Sequence, residues 1–460
     1  MLNTNAEWLL PEIMDIVRLF DCENEDFTHY FYFTNDKYIN CIDYRGSIYD
    51  FSYECKTEDD IEYKRYARRA AKLAFYKLLS QASGKTFPYG ALTGIRPTKL
   101  AYMEISHGRD FKPLFDEMQV APENTCFVGR VISTQGPYYT KAGGQDLFIS
   151  LPFCPTKCRY CSFVTAPLQT TAQYVDDYIS CLEREIASVK PLLTSVRSVY
   201  IGGGTPFSIT TKQLERVYAA VKRLALPVCE YTVEAGRPDV FDEEKLELSK
   251  SFGVNRICVN PQTFSDATLQ KMGRRHTSAQ TFAAYEMAKK YGFDINVDLI
   301  AGLEGEGTED FARSLDCAIK LSPANITVHT LSLKSGAKLK EETARLHVEG
   351  IGRMIALSRA KLTEAGYEPY YMYRQKYQAG GHENCGWSKP GRECVYNIDV
   401  MEEISDNVAV GANAISKRVF FEENRIERLA SPKNIPTYLQ KCDKIISDRL
   451  ALFGFGEKNG

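Results

Sequence analysis

The chain has 460 residues, of which 44% are hydrophobic and 25% charged, with 57 lysines and arginines against 59 aspartates and glutamates. This composition is that of an ordinary globular protein, and it excludes a collagenous, disordered or coiled-coil chain. A formal net charge of −2 provides no global basic field for nucleic acid or an acidic membrane. The chain is too long for one ordinary core, so we expect more than one domain.

No apolar run reaches the ~18 residues that a membrane span needs. The N-terminal stretch lacks a basic segment before an apolar one, and Glu7, Glu12 and Asp15 disfavour a transit peptide. We therefore expect a cytoplasmic protein without a membrane span. The 14 cysteines are too few for a disulfide scaffold, and isolated ones such as Cys181 and Cys258 are expected to be reduced core side chains.

Residues 1–125 are predicted to form an α+β domain. The alternating stretch 29–46 predicts antiparallel strands with a turn at Asn35–Asp36, and a helix is predicted over residues 59–79. One side of that helix is basic, with Lys64, Arg65, Arg68, Arg69 and Lys72. RNA binding and a solvated helix face are both open interpretations. The second is favoured, because the sequence shows no sheet or groove on which aromatic stacking residues are interleaved with these cations.

Between residues 140 and 345, short β-rich runs alternate with helical patterns. The runs are 147–151, 198–202, 231–235, 256–260, 295–300 and 326–331. Both the odd and the even positions of these runs are apolar, as in strands covered on both faces. This pattern predicts parallel strands joined by right-handed helical crossovers. Six such units are too few for a closed eight-fold barrel. The sequence therefore predicts an α/β fold with a partial (β/α)6 barrel, whose chemistry lies at the carboxyl ends of its strands.

Three cysteines directly after the first predicted strand form a C-x3-C-x2-C arrangement: Cys154, Cys158 and Cys161. A structural zinc site needs a second pair of ligands, but Cys385 and Cys394 are nine positions apart. Three thiolates without a fourth leave one iron of a [4Fe–4S] cluster open to an exogenous ligand. The triplet therefore predicts such a cluster.

Further polar or glycine-rich positions end the following predicted strands. The second run leads into Gly202-Gly203-Gly204-Thr205-Pro206, the third ends with Glu234, the fourth leads to Gln262 and the fifth carries Asp298. Each alone is more typical of a turn or a solvated residue. Because they follow successive strands, we expect them to surround the opening of the barrel at the carboxyl ends of the strands, which we call the mouth.

These features resemble the radical S-adenosylmethionine (SAM) superfamily and, within it, the oxygen-independent coproporphyrinogen III oxidases and their relatives, which include haem chaperones. The resemblance covers residues 147–303, through the stretches LPFCPTKCRYCSF, GGGTP, TVEAGRP, NPQTF, MGRRH and INVDLIAGL. The N-terminal extension, YGALTGIRPTK, YYMYRQK and GANAIS are most similar to HemZ-type coproporphyrinogen dehydrogenases. Two departures are that no further cysteine follows Cys161, and that Phe148 and Ser150 replace a Tyr and a His of the oxidases.

By that resemblance, Cys154, Cys158 and Cys161 bind the cluster, and a defined set of residues binds SAM. Tyr160 is implied to pack on adenine, and Gly203, Gly204 and Thr205 to meet the methionine end. The rest of the pocket is implied to be Glu234, Gln262, Arg274 and Asp298.

The implied reaction is the oxidative decarboxylation of two propionates of coproporphyrinogen III to vinyl groups, in porphyrin and haem biosynthesis, with an electron donor such as a flavodoxin or ferredoxin. A tetracarboxylate needs cationic partners, and residues 346–460 are expected to form a substrate-binding lid. The candidate cations are Arg374, Lys376, Lys389 and Arg392. His329 is either a structural histidine or a proton donor. Two alternative functions use the same scaffold: a haem chaperone, and a radical enzyme that cleaves haem.

Overall fold

The structure is a computed structural model, and it describes residues 1–454 apart from positions 58, 95, 162, 164, 228–229, 333–349, 376–378, 422 and 424. The chain divides into two compact units. The first comprises residues 1–130 with 373–383, and the second comprises residues 131–372 with 384–460.

The first unit is built on a four-stranded sheet. Its strands, in spatial order, are β1 (Leu2–Thr4), β2 (Phe27–Thr34), β3 (Lys37–Tyr44) and β4 (Ser47–Glu54). Strands β2 and β3 pair in antiparallel register up to Thr34↔Lys37. The turn residues Asn35 and Asp36 have φ of 50° and 56°, the left-handed values that a tight two-residue hairpin requires. The predicted hairpin is confirmed.

Helices pack on this sheet and beside it. They are α1 (Leu10–Leu19), α2 (Asp60–Ser83), α3 (Pro97–Ser106), α4 (Lys112–Glu117) and α5 (Pro122–Tyr139), the last of which continues into the second unit. Asp59 caps α2 by accepting bonds from the backbone N–H groups of Ile61 and Glu62, both at 2.8 Å. The buried side of α2 is rich in alanine, so the helix lies close to the sheet, where Phe75 contacts Phe27.

An eleven-stranded sheet forms the second unit. The six strands predicted from the sequence are present as β5 (Gln145–Leu151), β8 (Val196–Gly203), β9 (Glu230–Gly236), β10 (Arg256–Gln262), β11 (Asp294–Ala301) and β12 (Asn325–Thr330). They are parallel neighbours in chain order. Two short strands, β6 (Phe153–Cys154) and β7 (Ala166–Pro167), pair separately.

The crossover helices also match the predicted ranges to within a few residues. The helices of this part of the chain are α6 (Leu168–Thr171), α7 (Val175–Ser188), α8 (Thr211–Lys222), α9 (Glu243–Ser251), α10 (Asp266–Lys271), α11 (Ser278–Lys290) and α12 (Thr308–Leu321). Thr210 and Thr277 each form a capping box with the glutamine three residues later, which fixes where α8 and α11 begin.

The C-terminal part of the chain extends this sheet at both ends. It contributes α13 (Ile351–Glu364), β13 (Glu368–Tyr373), β14 (Asn384–Ser388), α14 (Val395–Glu402), β15 (Asp406–Val410), β16 (Ile415–Phe420), β17 (Arg425–Ala430), α15 (Ile435–Gln440) and α16 (Cys442–Leu452). Strand β14 pairs antiparallel with β12, and β15 pairs parallel with β5. This differs from the separate lid expected over residues 346–460, because the described strands complete the barrel sheet itself.

Cys181 also departs from its prediction. The structure joins Cys181 of α7 to Cys442 of α16 by a disulfide bond. No local pattern predicts this pairing, since the two positions are 261 residues apart. Cys258, by contrast, is a buried free thiol, as predicted.

Candidate active site

The cysteine loop leaves the carboxyl end of β5 and is tied to its surroundings by backbone bonds. Cys154 and Cys158 are buried, and Cys161 is half-buried. The backbone N–H of Cys161 donates to the Cys158 carbonyl at 3.1 Å, and that of Arg159 donates to the Met272 carbonyl at 3.1 Å. The three thiols are therefore presented by one loop that is fixed to the segment after α10.

Burial raises the pKa of Cys154 to about 12 and the pKa of Cys161 to about 11. Thr205 lowers the first by hydrogen bonding, and the backbone of Phe163 lowers the second, but neither offsets burial. Without metal these thiols therefore remain protonated near neutral pH. Iron must displace their protons when it binds, as metals bound by thiolates do.

The glycine-rich turn after β8 supports the cysteine loop by close backbone approach. A Cβ at Gly204 would lie 2.6 Å from the Phe153 carbonyl oxygen, so no larger residue fits there. Gly203 has a φ of +96°, in the left-handed region that favours glycine. The backbone N–H of Thr205 donates to the Phe153 carbonyl at 2.7 Å, and its hydroxyl lies 3.3 Å from the Cys154 sulfur. The turn therefore contacts the predicted cluster ligands directly.

Arg274 connects the cysteine loop to the end of β10. Its Nη1 donates to the Tyr160 hydroxyl at 2.7 Å and lies 4.0 Å from the Cys158 sulfur. Its Nη2 donates to the backbone carbonyl of Asn260 at 2.5 Å. The Tyr160 ring packs against a cluster that includes Met272 and Leu331. A buried guanidinium thus holds Tyr160 in place and puts a positive charge beside the cysteines.

The carboxyl ends of β9 to β12 carry the remaining predicted residues. Glu234 lies two residues before the end of β9, Gln262 ends β10, and Asp298 lies in β11 with its Oδ2 3.7 Å from His329 Nε2 on β12. Gln262 has a φ of +72°, unusual for a residue with a side chain, at an irregularity in the pairing of β10 with β11. Strain of this kind is frequent at functional sites, where it aims a side chain.

Glu234 is the most perturbed carboxyl group at this mouth. Burial, and then the charge of Asp298, raise the pKa of Glu234 from 4.5 to about 8, although the backbone N–H of Gly203 opposes the shift. A positively charged ligand group would offset both causes. The pair Glu234 and Asp298 therefore suits a ligand that carries a cation.

Several buried polar atoms around this mouth have no partner within the described residues. They include Asn260 Oδ1, Gln262 Oε1 and Arg274 Nε. An unpaired buried polar atom costs free energy, and such atoms in a native structure indicate a missing ligand or water. Amide oxygens accept from hydroxyl and amino groups, and a guanidinium N–H donates to a carboxylate. These groups fit the ribose and the methionine end of SAM, and the three thiols fit iron.

Below the mouth, three aromatic rings stack inside the barrel. Tyr396 of α14 lies 4.3 Å from Tyr200 of β8 and 6.0 Å from Phe148 of β5, measured between ring centroids. Tyr200 and Tyr396 are half-buried, and burial of their hydroxyls raises the pKa of both well above the ordinary value. The stack lines the barrel interior near Glu234 with aromatic surface.

Of the four cations predicted to bind substrate, Lys389 and Arg392 lie in the second unit, away from this mouth. Arg392 pairs with Asp294 at 3.1 Å, and the Lys389 backbone bonds to Ala324, both at the amino ends of β11 and β12. Lys389 Nζ donates to Ser322 at 2.6 Å. They therefore lie at the opposite end of the strands from Glu234, which corrects the prediction.

Arg374 belongs to the first unit and is buried there. It donates to the carbonyls of Leu92 and Gly381, the latter at 2.8 Å through Nη2, and its guanidinium lies 4.4 Å from the Tyr89 ring centroid. Its donors serve the backbone, so the structure gives it a packing role in place of the predicted substrate contact. Lys376 lies outside the described residues.

Two residues of the mouth were missed in the sequence. Asn260 lies within NPQTF, and its buried amide could have been recognised only from its position two residues before Gln262 on the same strand. Tyr396 comes from the YNI stretch, far along the chain from the strands it packs against, and no local pattern indicates that it enters the barrel.

The family model of the radical SAM superfamily matches residues 148–318. The oxygen-independent coproporphyrinogen-III oxidase-like protein HemZ of Bacillus subtilis is 34% identical over 406 residues, which are 84% of this chain and 81% of that protein. The chain belongs to this HemZ-type family of radical SAM proteins.

Other relatives of this HemZ-type chain match a shorter part of it. The haem chaperone HemW of B. subtilis is 31% identical over 265 residues, or 55% of this chain and 66% of that protein. HemW of Escherichia coli is 26% identical over 303 residues, or 64% of this chain and 75% of that protein.

Among solved structures, the E. coli coproporphyrinogen III oxidase HemN superposes with a TM-score of 0.54. It has 22% identity to this chain, and the match covers 65% of this chain and 69% of HemN. This similarity confirms the predicted radical SAM fold.

Membership of the superfamily, together with the donor set at the mouth, identifies the cofactors of this HemZ-type protein as a [4Fe–4S] cluster and SAM. None of the helices that the structure describes has the length and apolar character of a bilayer-spanning segment.

Proposed function

We propose that this protein catalyses the oxygen-independent oxidative decarboxylation of coproporphyrinogen III to protoporphyrinogen IX. The observation that carries the proposal is the single mouth in which the cysteine loop adjoins the polar ends of β9 to β12. The HemZ relative, which matches along 84% of this chain, favours a tetrapyrrole substrate.

In this proposal the thiolates of Cys154, Cys158 and Cys161 would hold the cluster, which would bind the methionine end of SAM. When bound, the cofactors supply a 5′-deoxyadenosyl radical that removes a hydrogen atom from carbon. The cysteine loop and the turn Gly203-Gly204-Thr205 hold the methionine end. Tyr160 lies against the adenine, where Arg274 fixes its ring.

The other residues of the mouth would bind and orient SAM. Glu234 and Asp298 would present negative charge to its cationic ammonium or sulfonium group, and Gln262 and Asn260 would present amide groups to the ribose hydroxyls. His329 lies beside Asp298 and is our candidate for a proton donor or a partner of a substrate carboxylate.

On the substrate, a hydrogen atom is lost from the β-carbon of each of two propionates. The carboxylate then leaves as carbon dioxide, one electron passes to an acceptor, and a vinyl group remains. The stack of Phe148, Tyr200 and Tyr396 would limit the access of water to the reacting carbon, which would protect a radical from unproductive quenching. We propose a flavodoxin or ferredoxin as the electron donor and the cytoplasm as the location.

The test is an anaerobic incubation of reconstituted protein with reductant, SAM and coproporphyrinogen III, with products identified by mass. We expect the loss of two carboxyl groups together with formation of 5′-deoxyadenosine. The Cys158→Ala variant is the matched control and is expected to give neither product. Formation of 5′-deoxyadenosine without any change in the porphyrinogen would refute the assignment of coproporphyrinogen III as the substrate. It would still support cleavage of SAM to a radical.

The HemW relatives favour a second candidate, a haem chaperone on the same scaffold. The matches to HemW cover 55% and 64% of this chain, whereas the match to HemZ covers 84% of it. The same preparation incubated with haem separates the two functions. If the protein binds haem tightly and passes it to an acceptor protein, without turnover of coproporphyrinogen, the chaperone function is favoured.

A further inference from the structure

A basic cavity lies in the first unit, among α1, α2 and the start of α3. It has a volume of ≈ 300 Å³. Five cations line it, with one acid: Arg65, Arg68, Arg69, Lys72, Arg96 and Glu12. The rest of the lining is largely aliphatic or thioether, including Leu100 and Met103. A cavity of this size with a few charged groups on an apolar wall is typical of a small-molecule site.

The cations converge because of their spacing on α2. Positions 65, 68, 69 and 72 follow the i, i+3, i+4, i+7 pattern of one helical face, while the opposite face of α2 is buried. Arg65, Arg69 and Lys72 are half-buried on this face, and only Arg68 is exposed. Half-buried cations are costly unless anionic groups accompany them.

Among the described residues that line the cavity, Glu12 is the one acidic side chain. Glu12 pairs with Arg68 at 3.2 Å, and its Oε2 is buried without a partner. Arg65 Nη1 lies 3.9 Å from the Met103 sulfur, which is a weak acceptor, and Arg69 lies 5.2 Å from the Tyr66 ring centroid. The lining therefore carries more positive than negative charge.

The start of α3 adds to this charge. This ten-residue helix begins at Pro97, has no side-chain cap and has no acidic residue in its first turn. Its positive dipole end therefore favours an anion at Arg96 and Pro97, both of which line the cavity.

We propose that this cavity binds a small polyanion, whose phosphate or carboxylate groups are held by the guanidinium groups of Arg65 and Arg69. Planar guanidinium forks suit both kinds of oxyanion. Nucleic acid fits less well, because a single strand needs aromatic platforms along its basic groove and none of the described residues that line the cavity is aromatic. The exposed tyrosines Tyr30 and Tyr32 lie on the sheet face opposite to α2, as strand alternation requires. The inference does not depend on the proposed catalytic function.

The test uses the full-length holoprotein and titrates it calorimetrically with pyrophosphate and, separately, with citrate. We expect one equivalent of one probe to bind, and the stronger probe identifies phosphate or carboxylate as the natural group. Arg65→Gln combined with Arg69→Gln should weaken binding by about tenfold or more, since charge-assisted bonds are lost. Lys64→Gln is the matched control, because Lys64 is on the same helix but pairs with Asp60 outside the cavity.

A gain-of-binding variant keeps the test independent of folding defects. Glu12→Gln removes the competing carboxylate, so it should strengthen binding of the same probe, whereas a merely damaged site would bind more weakly. The proposal is overturned if neither probe binds, if Lys64→Gln weakens binding as much as the double variant, or if Glu12→Gln has no effect. Preferential binding of a single-stranded RNA at the same arginines would also overturn it.

Discussion

Replacing Glu234 with glutamine should stabilise the cluster-free protein in a pH-dependent way. The pKa of Glu234 is raised from 4.5 to about 8, chiefly by burial, so the protonated form is favoured in the folded state. Ionisation therefore opposes folding. The cost is absent below pH 4.5, grows as the pH rises and is complete above about pH 8.

The magnitude follows from the size of the shift. Each pKa unit is worth about 1.4 kcal/mol, so the full cost of ionising Glu234 is on the order of 5 kcal/mol. About 2 kcal/mol of it is present at about pH 6, and nearly all of it at about pH 9. The difference in unfolding free energy between Glu234→Gln and the parent protein should therefore widen by roughly 3 kcal/mol across that interval.

The assay is denaturant unfolding of both proteins, free of iron and under reducing conditions, at several pH values. Glu247→Gln, on the exposed side of α9, is a control for loss of one charge. Other ionisable groups, which all three proteins share, contribute equally to the pH dependence of each unfolding free energy. Their contributions therefore cancel when a variant is compared with the parent protein. A difference between Glu234→Gln and the parent that stays constant with pH would refute the argument that Glu234 is held in an unfavourable environment at the mouth.

Three further variants test separate contacts. Tyr160→Phe removes the hydroxyl that accepts from Arg274 but keeps the ring, so unfolding free energy should fall by about 1–3 kcal/mol while iron content stays unchanged. Asp298→Ala should weaken SAM binding by up to about a hundredfold in equilibrium titration, and loss of iron would contradict a role in SAM binding alone. Arg374→Ala leaves buried carbonyls without donors and should lower stability by about 3 kcal/mol, whereas a raised KM with unchanged stability would restore the predicted substrate contact.

Much of the barrel could be predicted because its signals are local. A strand covered on both faces has apolar residues at both odd and even positions, so β8, β10 and β11 were recognisable within a few residues of their bounds. The cysteine spacing is equally local, since one loop supplies all three thiols. Glycine at position 204 is explained by the same loop, against which any Cβ would collide.

The features that were missed depend on contacts between distant parts of the chain. Tyr396 stacks on Tyr200, and Cys181 pairs with Cys442, although nothing near either residue specifies its partner. Arg374 was assigned to substrate because composition does not distinguish a guanidinium that meets carboxylates from one that serves backbone carbonyls. Only the packing of residues 373–383 in the first unit decides between them.

The pairing of β15 with β5 has a consequence for how the protein is made. Ser150, at the end of β5, donates to the carbonyl of Ala412, which the ribosome adds 262 residues later. Until then the emerging chain exposes an unpaired strand edge next to the cysteine loop, a site prone to mispairing and aggregation. Iron delivered to a nascent chain would meet thiols whose loop still lacks one neighbouring strand. Cluster insertion is therefore expected to follow release of the finished polypeptide, and a chain truncated before β15 should be handled by the cell as a misfolded one.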